Sequence, residues 1–188
     1  MYRCYYFNSA VRPEDCDSFV DSYKYKEFET GQVKLDLDGN EGEEEIRKSK
    51  ILWIHPKHLM VRTIWSYVLE ANVINFKLLL DGKHDSAQLT KYDDIDHHYG
   101  WHTDHIIGNT DSNTPIRKLS AILQLSKPED YKGCELQLFN GDKEPEKLPI
   151  MDQGSLIIFR SEEWHRVTKL IEGERYSLVF WATGPHLI

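Results

Sequence analysis

The sequence predicts a mainly β protein: an antiparallel sandwich or barrel with two N-terminal helices packed against one sheet. Three observations predict it. Apolar residues recur at helical spacing only in the first part of the chain, short β-rich runs separated by turn residues dominate the rest, and those runs do not alternate with helices as βαβ units do. In order, Cys16, Phe19, Val20 and Tyr23 follow Pro13 at i, i+3, i+4 and i+7, one apolar stripe of a first helix. Met60, Ile64, Tyr67, Val68 and Ala71 draw a second. From "INFKLLL" (74–80) onward the pattern changes to strands. They are "SAQLTKY" (86–92), "RKLSAILQLS" (117–126), "CELQLF" (134–139), "GSLIIF" (154–159), "HRVTKL" (165–170) and "RYSLVFWA" (175–182). The polar stretch "LDLDGNEGEEE" (35–45) reads as a solvated loop. Asp36, Asp38 and Asn40 alternate as in a calcium loop, but Glu41 and Arg47 stand where that motif needs Gly and Glu.

No internal repeat or linker divides the chain, so residues 1–188 are expected to form one domain, and 188 residues at 40% hydrophobic are enough for a substantial core. Thirty-one acidic against 23 basic residues, a net charge of −8, disfavour nucleic acid or an anionic membrane as partner. No run reaches membrane-spanning length and no sorting signal is evident, which predicts a soluble, cytoplasmic protein. Cys4, Cys16 and Cys134 are odd in number and widely spaced, so they read as buried thiols.

The chemistry concentrates in "HHYGWHTDH" (97–105), with four histidines and a carboxylate in nine positions. On a strand, His102 and Asp104 leave the same face and supply half of a metal site. His165, opening a later predicted strand, is the favoured third ligand over His186 near the end of the sequence. Two histidines and one carboxylate on one face of an ion, with other positions open, suit non-haem Fe(II). A His-x-Asp alone is common at strand ends, so the weight comes from the strand "RYSLVFWA". There Arg175 and Ser177 share a face with Val179 and Trp181, placing a guanidinium and a hydroxyl among apolar side chains. Taken singly, such an arginine ordinarily forms a structural salt bridge; beside the His/Asp/His set it points to a dicarboxylate that chelates the metal and is clamped at its far end.

From Gly31 to Trp181 the chain resembles the Fe(II)- and 2-oxoglutarate-dependent dioxygenases, within them the prolyl 4-hydroxylase-like branch. "RKSKILWI" (47–54) resembles the strand before that branch's second helix, "YDDIDHHYGWHTD" its Tyr-x9-His-x-Asp block, and "YKGCELQLF" its Gly-Gly-x-Leu strand. "HRV" followed by "RYSLVFW" completes the pattern. The resemblance implies a double-stranded β-helix, or jelly-roll, core. It implies His102, Asp104 and His165 as Fe(II) ligands, Arg175 and Tyr92 on the far carboxylate of 2-oxoglutarate with Ser177 assisting, and Leu136, Val167 and Trp181 as pocket lining. Ascorbate is implied as a reductant. Cys134 departs from the second glycine of the pair, and Gln124 stands where some members carry a second cosubstrate-binding tyrosine; its amide is a weaker candidate for the same contact.

Hydroxylation of a C–H bond, with release of succinate and carbon dioxide, is the reaction this implies. A peptide or protein substrate, proline being the model residue, is favoured because the segment from Gly31 to Ile54 resembles in position the one that gates peptide entry. Nucleic-acid demethylases usually carry a second arginine six positions after the first, and Trp181 stands there. A free amino acid or small metabolite is the alternative. A metal-retaining binding module has no use for an open iron site, and a zinc hydrolase none for Arg175 and Ser177. The oligomeric state is not legible. His97, His98 and His105 are expected at the surface or behind the site.

Overall fold

In the computed structural model, residues 2–34, 45–82, 86–105, 115–141, 143–148 and 152–185 are described. The polar stretch 35–45, apart from Glu45 at its end, and His186 lie outside them. The elements run β1 (Cys4–Phe7), α1 (Pro13–Tyr23), β2 (Glu29–Lys34), β3 (Glu45–Ile54), α2 (Leu59–Ala71), β4 (Ala87–Tyr92) and β5 (His98–His102). After these come β6 (Ile116–Gln124), β7 (Tyr131–Gly133), β8 (Leu136–Leu138), β9 (Glu146–Lys147), β10 (Leu156–Arg160), β11 (His165–Val167), β12 (Leu170–Gly173) and β13 (Arg175–Gly184). The main sheet has the order β1-β10-β6-β13-β4-β3-β5-β11-β8-β9, with β2 attached to β3; β12 and β7 form a separate ribbon. Every pairing is antiparallel. This is the curled, mainly β architecture expected.

Strand alternation sorts the chain into two cores. On β13, Tyr176, Leu178, Phe180 and Ala182 face the helices, where they join Leu119, Ala121 and Leu123 of β6 and the buried stripe Met60, Val61, Ile64 and Val68 of α2. The opposite faces enclose a second core with Ile122, Leu138, Ile157 and Phe159. Arg175, Ser177, Val179 and Trp181 project on that inner side. The helices form where predicted. Pro13 sits at the first position of α1 with Glu14 and Asp15 in its first turn, and His58 Nδ1 caps α2 by accepting from the Met60 amide at 3.1 Å.

Three local readings are corrected. "INFKLLL" is not the start of the strands: Asn72–Phe76 continue α2 as a π-helical turn, closed by Lys77 at φ 55°. The Asn72 side chain then pairs with both backbone groups of Leu78, which removes them from any sheet ladder. "HRVTKL" is two strands in different sheets, with β11 beside β5 and β8, and β12 beside β7. The N-terminal part is not purely helical, because β1 and β2 add strands at an edge of the sheet and on β3. Both are short or polar segments with too few alternating positions to register as a pattern.

The "GC" pair of "YKGCELQLF" shows how a departure from the Gly-Gly pattern is accommodated. Gly133 has φ 83°, and a Cβ there would lie 2.1 Å from the Lys169 carbonyl oxygen. Cys134 comes next at φ 49°, left-handed backbone that glycine adopts more readily, and its buried thiol is pushed up to about 11 by burial. Gly133→Ala is therefore expected to destabilise the protein by about 2 to 4 kcal/mol, since strain and a backbone clash coincide, and urea unfolding checks it. Unchanged stability would show that the β7–β12 ribbon shifts freely.

Candidate metal centre

β5 and β11 pair antiparallel with His102 opposite His165. That register brings together two histidines far apart in sequence, with ring centroids 4.1 Å apart. Asp104 lies two residues past the end of β5. Its amide donates to the Ser161 carbonyl at 2.9 Å, which turns the carboxylate back toward both rings. His102 Nε2 lies 3.7 Å from Asp104 Oδ1, and His165 Nε2 lies 3.5 Å from Oδ2. One ligand atom from each of the three falls within 4.8 Å of the others.

The other ring nitrogens decide which atoms are free. His102 Nδ1 contacts the Gly100 carbonyl at 2.8 Å and His165 Nδ1 the Glu163 carbonyl at 2.9 Å. A carbonyl only accepts, so both Nδ1 atoms carry the proton and both Nε2 lone pairs face the gap beside Asp104. Burial, followed by the neighbouring His165, lowers His102 to about 3, so its lone pair is available throughout the neutral range. Burial alone would raise the Asp104 carboxyl, but the His165 and His102 rings and the Ser120 hydroxyl outweigh it and hold it below the usual range. Ser120 Oγ donates to Asp104 Oδ2 at 2.7 Å and stands 2.9 Å from Ser161 Oγ. This donor set, two imidazoles and an oriented carboxylate, fits a divalent first-row metal.

The ligand cluster opens into a cavity lined also by Tyr92, Arg175, Ser177, Val167 and Trp181. Arg175 is 2% exposed, and its Nε donates to Gln124 Oε1 at 3.1 Å. Gln124 in turn donates from Nε2 to the Ser126 carbonyl and the Tyr131 hydroxyl. Gln124 thus lies behind Arg175, engaged at both ends of its amide. Burial raises Tyr92 to about 12 against the lowering effect of Arg47 and Arg175, so its phenol stays a neutral donor. Leu136 packs in the inner core beside the cavity. The remaining histidines are elsewhere: His97 Nδ1 accepts from the Asp93 amide, His98 Nδ1 donates to the Asp96 carbonyl, and His105 borders a different cavity with Lys118.

Several residues at the site were not singled out from the sequence. Ser120 is a polar residue inside the apolar run "LSAIL" and could have been found as one. Arg47 and Ser49 share the inward alternation of "RKSKILWI", but the residues around them are too polar for the inner face to stand out. Tyr99 stacks on His102 at 3.4 Å between centroids, in the same nine-residue cluster.

The profile of the 2OG-Fe(II) oxygenase superfamily matches residues 87–183, more than half of the chain. A PKHD-type hydroxylase of Shewanella baltica (strain OS155 / ATCC BAA-1091) is 35% identical over 83 residues, covering 44% of this chain and 36% of that protein. The chain thus matches little more than a third of the length of such relatives. A viral collagen prolyl hydroxylase from Paramecium Bursaria Chlorella virus-1, solved as a 2OG complex, superposes with a TM-score of 0.72 at 16% identity, covering 97% of each chain. A Trichoplax adhaerens prolyl hydroxylase, solved with a peptide fragment of the hypoxia inducible factor oxygen degradation domain, gives 0.70 at 19% identity, covering 96% of this chain and 83% of that one. At such identities the structural likeness establishes the jelly-roll fold. Among the described residues, no helix is long and apolar enough to cross a membrane.

Proposed function

The chain belongs to the 2OG-Fe(II) oxygenase superfamily, and from that premise we propose that it falls in the prolyl 4-hydroxylase-like branch and hydroxylates a C–H bond of a peptidyl residue such as proline. The balance is 2-oxoglutarate, dioxygen and substrate C–H in, and succinate, carbon dioxide and substrate C–OH out. One observation carries the reading: a His102/Asp104/His165 cluster and a buried Arg175, without a carboxylate hydrogen-bond partner among the described residues, share one cavity.

Fe(II), when bound, supplies the redox chemistry that couples oxygen reduction to decarboxylation of the cosubstrate. The chain's own residues position and exclude. The two carbonyl-bound Nδ1 atoms aim both Nε2 lone pairs, and Ser120 fixes the carboxylate of Asp104. Arg175 offers its fork to the distal carboxylate, and Tyr92 a neutral phenolic donor, with Ser177 on the same wall. Ile122, Val167, Val179 and Trp181 keep bulk water from the reacting atoms. The Trp181 indole lines this space as well and helps to hold the Asp104 carboxyl low. Ascorbate serves as external reductant in this reading.

The peptide assignment is supported by the solved neighbour that holds a peptide. A free amino acid or small metabolite is the second reading, since the cavity's inner walls alone do not require a chain on either side. Mass spectrometry of candidate peptides and amino acids incubated with protein, Fe(II), 2-oxoglutarate and ascorbate tests both. A +16 Da product in step with succinate is expected from a peptide. Product from amino acids only would move the assignment to the second reading, and no succinate from any mixture would overturn both.

A further inference from the structure

Arg175 is not alone in the cavity. Arg47, on β3, lines it too and is 8% exposed. Its Nε donates to Ser49 Oγ at 2.8 Å and its Nη2 to Gln88 Oε1 at 2.7 Å, both neutral acceptors. The guanidinium lies 4.6 Å from the centroid of the Tyr99 ring, and that ring stacks on His102. The two arginines come from different walls. Arg47 stands opposite Tyr99 in the β3–β5 ladder, on the side of the metal ligands, whereas Arg175 stands opposite Tyr92 in the β4–β13 ladder, against Gln124.

Charge decides what the second guanidinium does. Fe(II) and the 2-oxoglutarate dianion cancel, and Asp104 offsets one of the two arginines, leaving one buried positive charge without an opposite among the described residues that line the cavity. A buried cation held only by neutral acceptors is costly unless an anion completes it. Serine and glutamine oxygens orient the guanidinium without neutralising it, so its charge is presented to whatever enters beside Tyr99. The cosubstrate brings two carboxylates, one for the metal and one for Arg175. The missing negative charge falls to the substrate.

We propose that Arg47, oriented by Ser49 and Gln88, forms a second anion subsite that receives a carboxylate of the substrate, so that the oxidised carbon lies close to a carboxylate group. The inference rests on the functional reading above and narrows its substrate class. The carboxylate has two sources, an Asp or Glu side chain beside the oxidised residue of a peptide, or the α-carboxylate of a free amino acid. The net charge of −8 opposes an acidic partner at long range, so selection acts inside the cavity at contact distance, where solvent screening is weakest.

The test uses the full chain loaded with Mn(II) and 2-oxoglutarate without oxygen, reading the paramagnetic broadening of probe protons by NMR. Two probe pairs separate the sources: N-acetyl-aspartyl-prolinamide against its asparaginyl counterpart, and proline against prolinamide. The carboxylate member of at least one pair is expected to broaden at about tenfold lower concentration than its neutral partner, the scale of one charge-assisted contact. Arg47→Gln should erase that preference, while calorimetric affinity for 2-oxoglutarate stays within about twofold, the cosubstrate being held elsewhere. Arg47→Lys should retain part of the preference, because it keeps the charge without the fork. Equal broadening within both pairs overturns the proposal even if no variant folds. So does a preference that survives Arg47→Gln, or a loss of 2-oxoglutarate affinity in that variant, which would assign Arg47 to the cosubstrate. Failure of the underlying reading shows separately, as 2-oxoglutarate affinity that survives Arg175→Gln.

Discussion

Single replacement of His102, Asp104 or His165 by Ala is expected to cut succinate formation by on the order of a thousandfold, the equivalent of about 4 kcal/mol in the barrier. Each residue supplies one of three ligand atoms, and no other His, Cys, Asp or Glu among the described residues joins the cluster. The fold should persist, because the main cores lie on either side of the sheet and the cluster sits at the β5–β11 junction. Metal content after dialysis should fall in step with turnover. Full activity of wild-type protein stripped by a chelator would refute the assignment. Proton competition adds a signature. His102 is lowered to about 3 from 6.5, so at pH 7 metal binding displaces no proton from that ring. In metal-free protein the unfolded chain takes up a proton below about pH 6.5 that the folded His102 refuses. Its contribution therefore erodes stability as pH falls from about 6.5 toward 3 and is absent above that window.

How far the sequence disclosed this site depends on which signals are local. The two helical stripes and the long apolar strands survive in the structure because each buries one face along its whole length, so periodicity alone reveals them. His102 and Asp104 were legible because they are neighbours. His165 was legible only through the inference that its strand lies beside theirs, which the His102–His165 register bears out as a juxtaposition. Edge strands β1 and β2 and the split of β11 from β12 are decided by pairing partners distant in sequence, and no local pattern encodes those. The arginines divide the same way. Arg175 stood out as a charge in an apolar strand, whereas Arg47 hid among lysines although its side chain is almost as buried.

Loss of Arg175 should weaken 2-oxoglutarate use by roughly a hundredfold, since a charge-assisted bidentate contact contributes on the order of 2 to 3 kcal/mol. Metal binding should persist, because Arg175 hydrogen-bonds Gln124 and is not one of the three ligands. A second effect of opposite sign separates a binding role from a structural one. In the free protein Arg175 is a buried cation, 2% exposed, whose hydrogen-bond partner among the described residues is a neutral amide. Such a group stabilises the fold weakly or opposes it, and an apolar replacement of similar length is often neutral or stabilising. Arg175→Met is therefore expected to melt at or above the wild-type temperature without ligand. Saturating 2-oxoglutarate with Mn(II) should then raise the wild-type melting temperature well beyond that of the variant, because only a state that binds the ligand gains from its concentration. An arginine whose purpose was structural would give the reverse pattern, a variant that melts low without ligand and responds to 2-oxoglutarate as wild type does. That outcome would remove the distal carboxylate from this wall of the cavity and leave Arg47, the other buried guanidinium lining it, as the group that holds the cosubstrate.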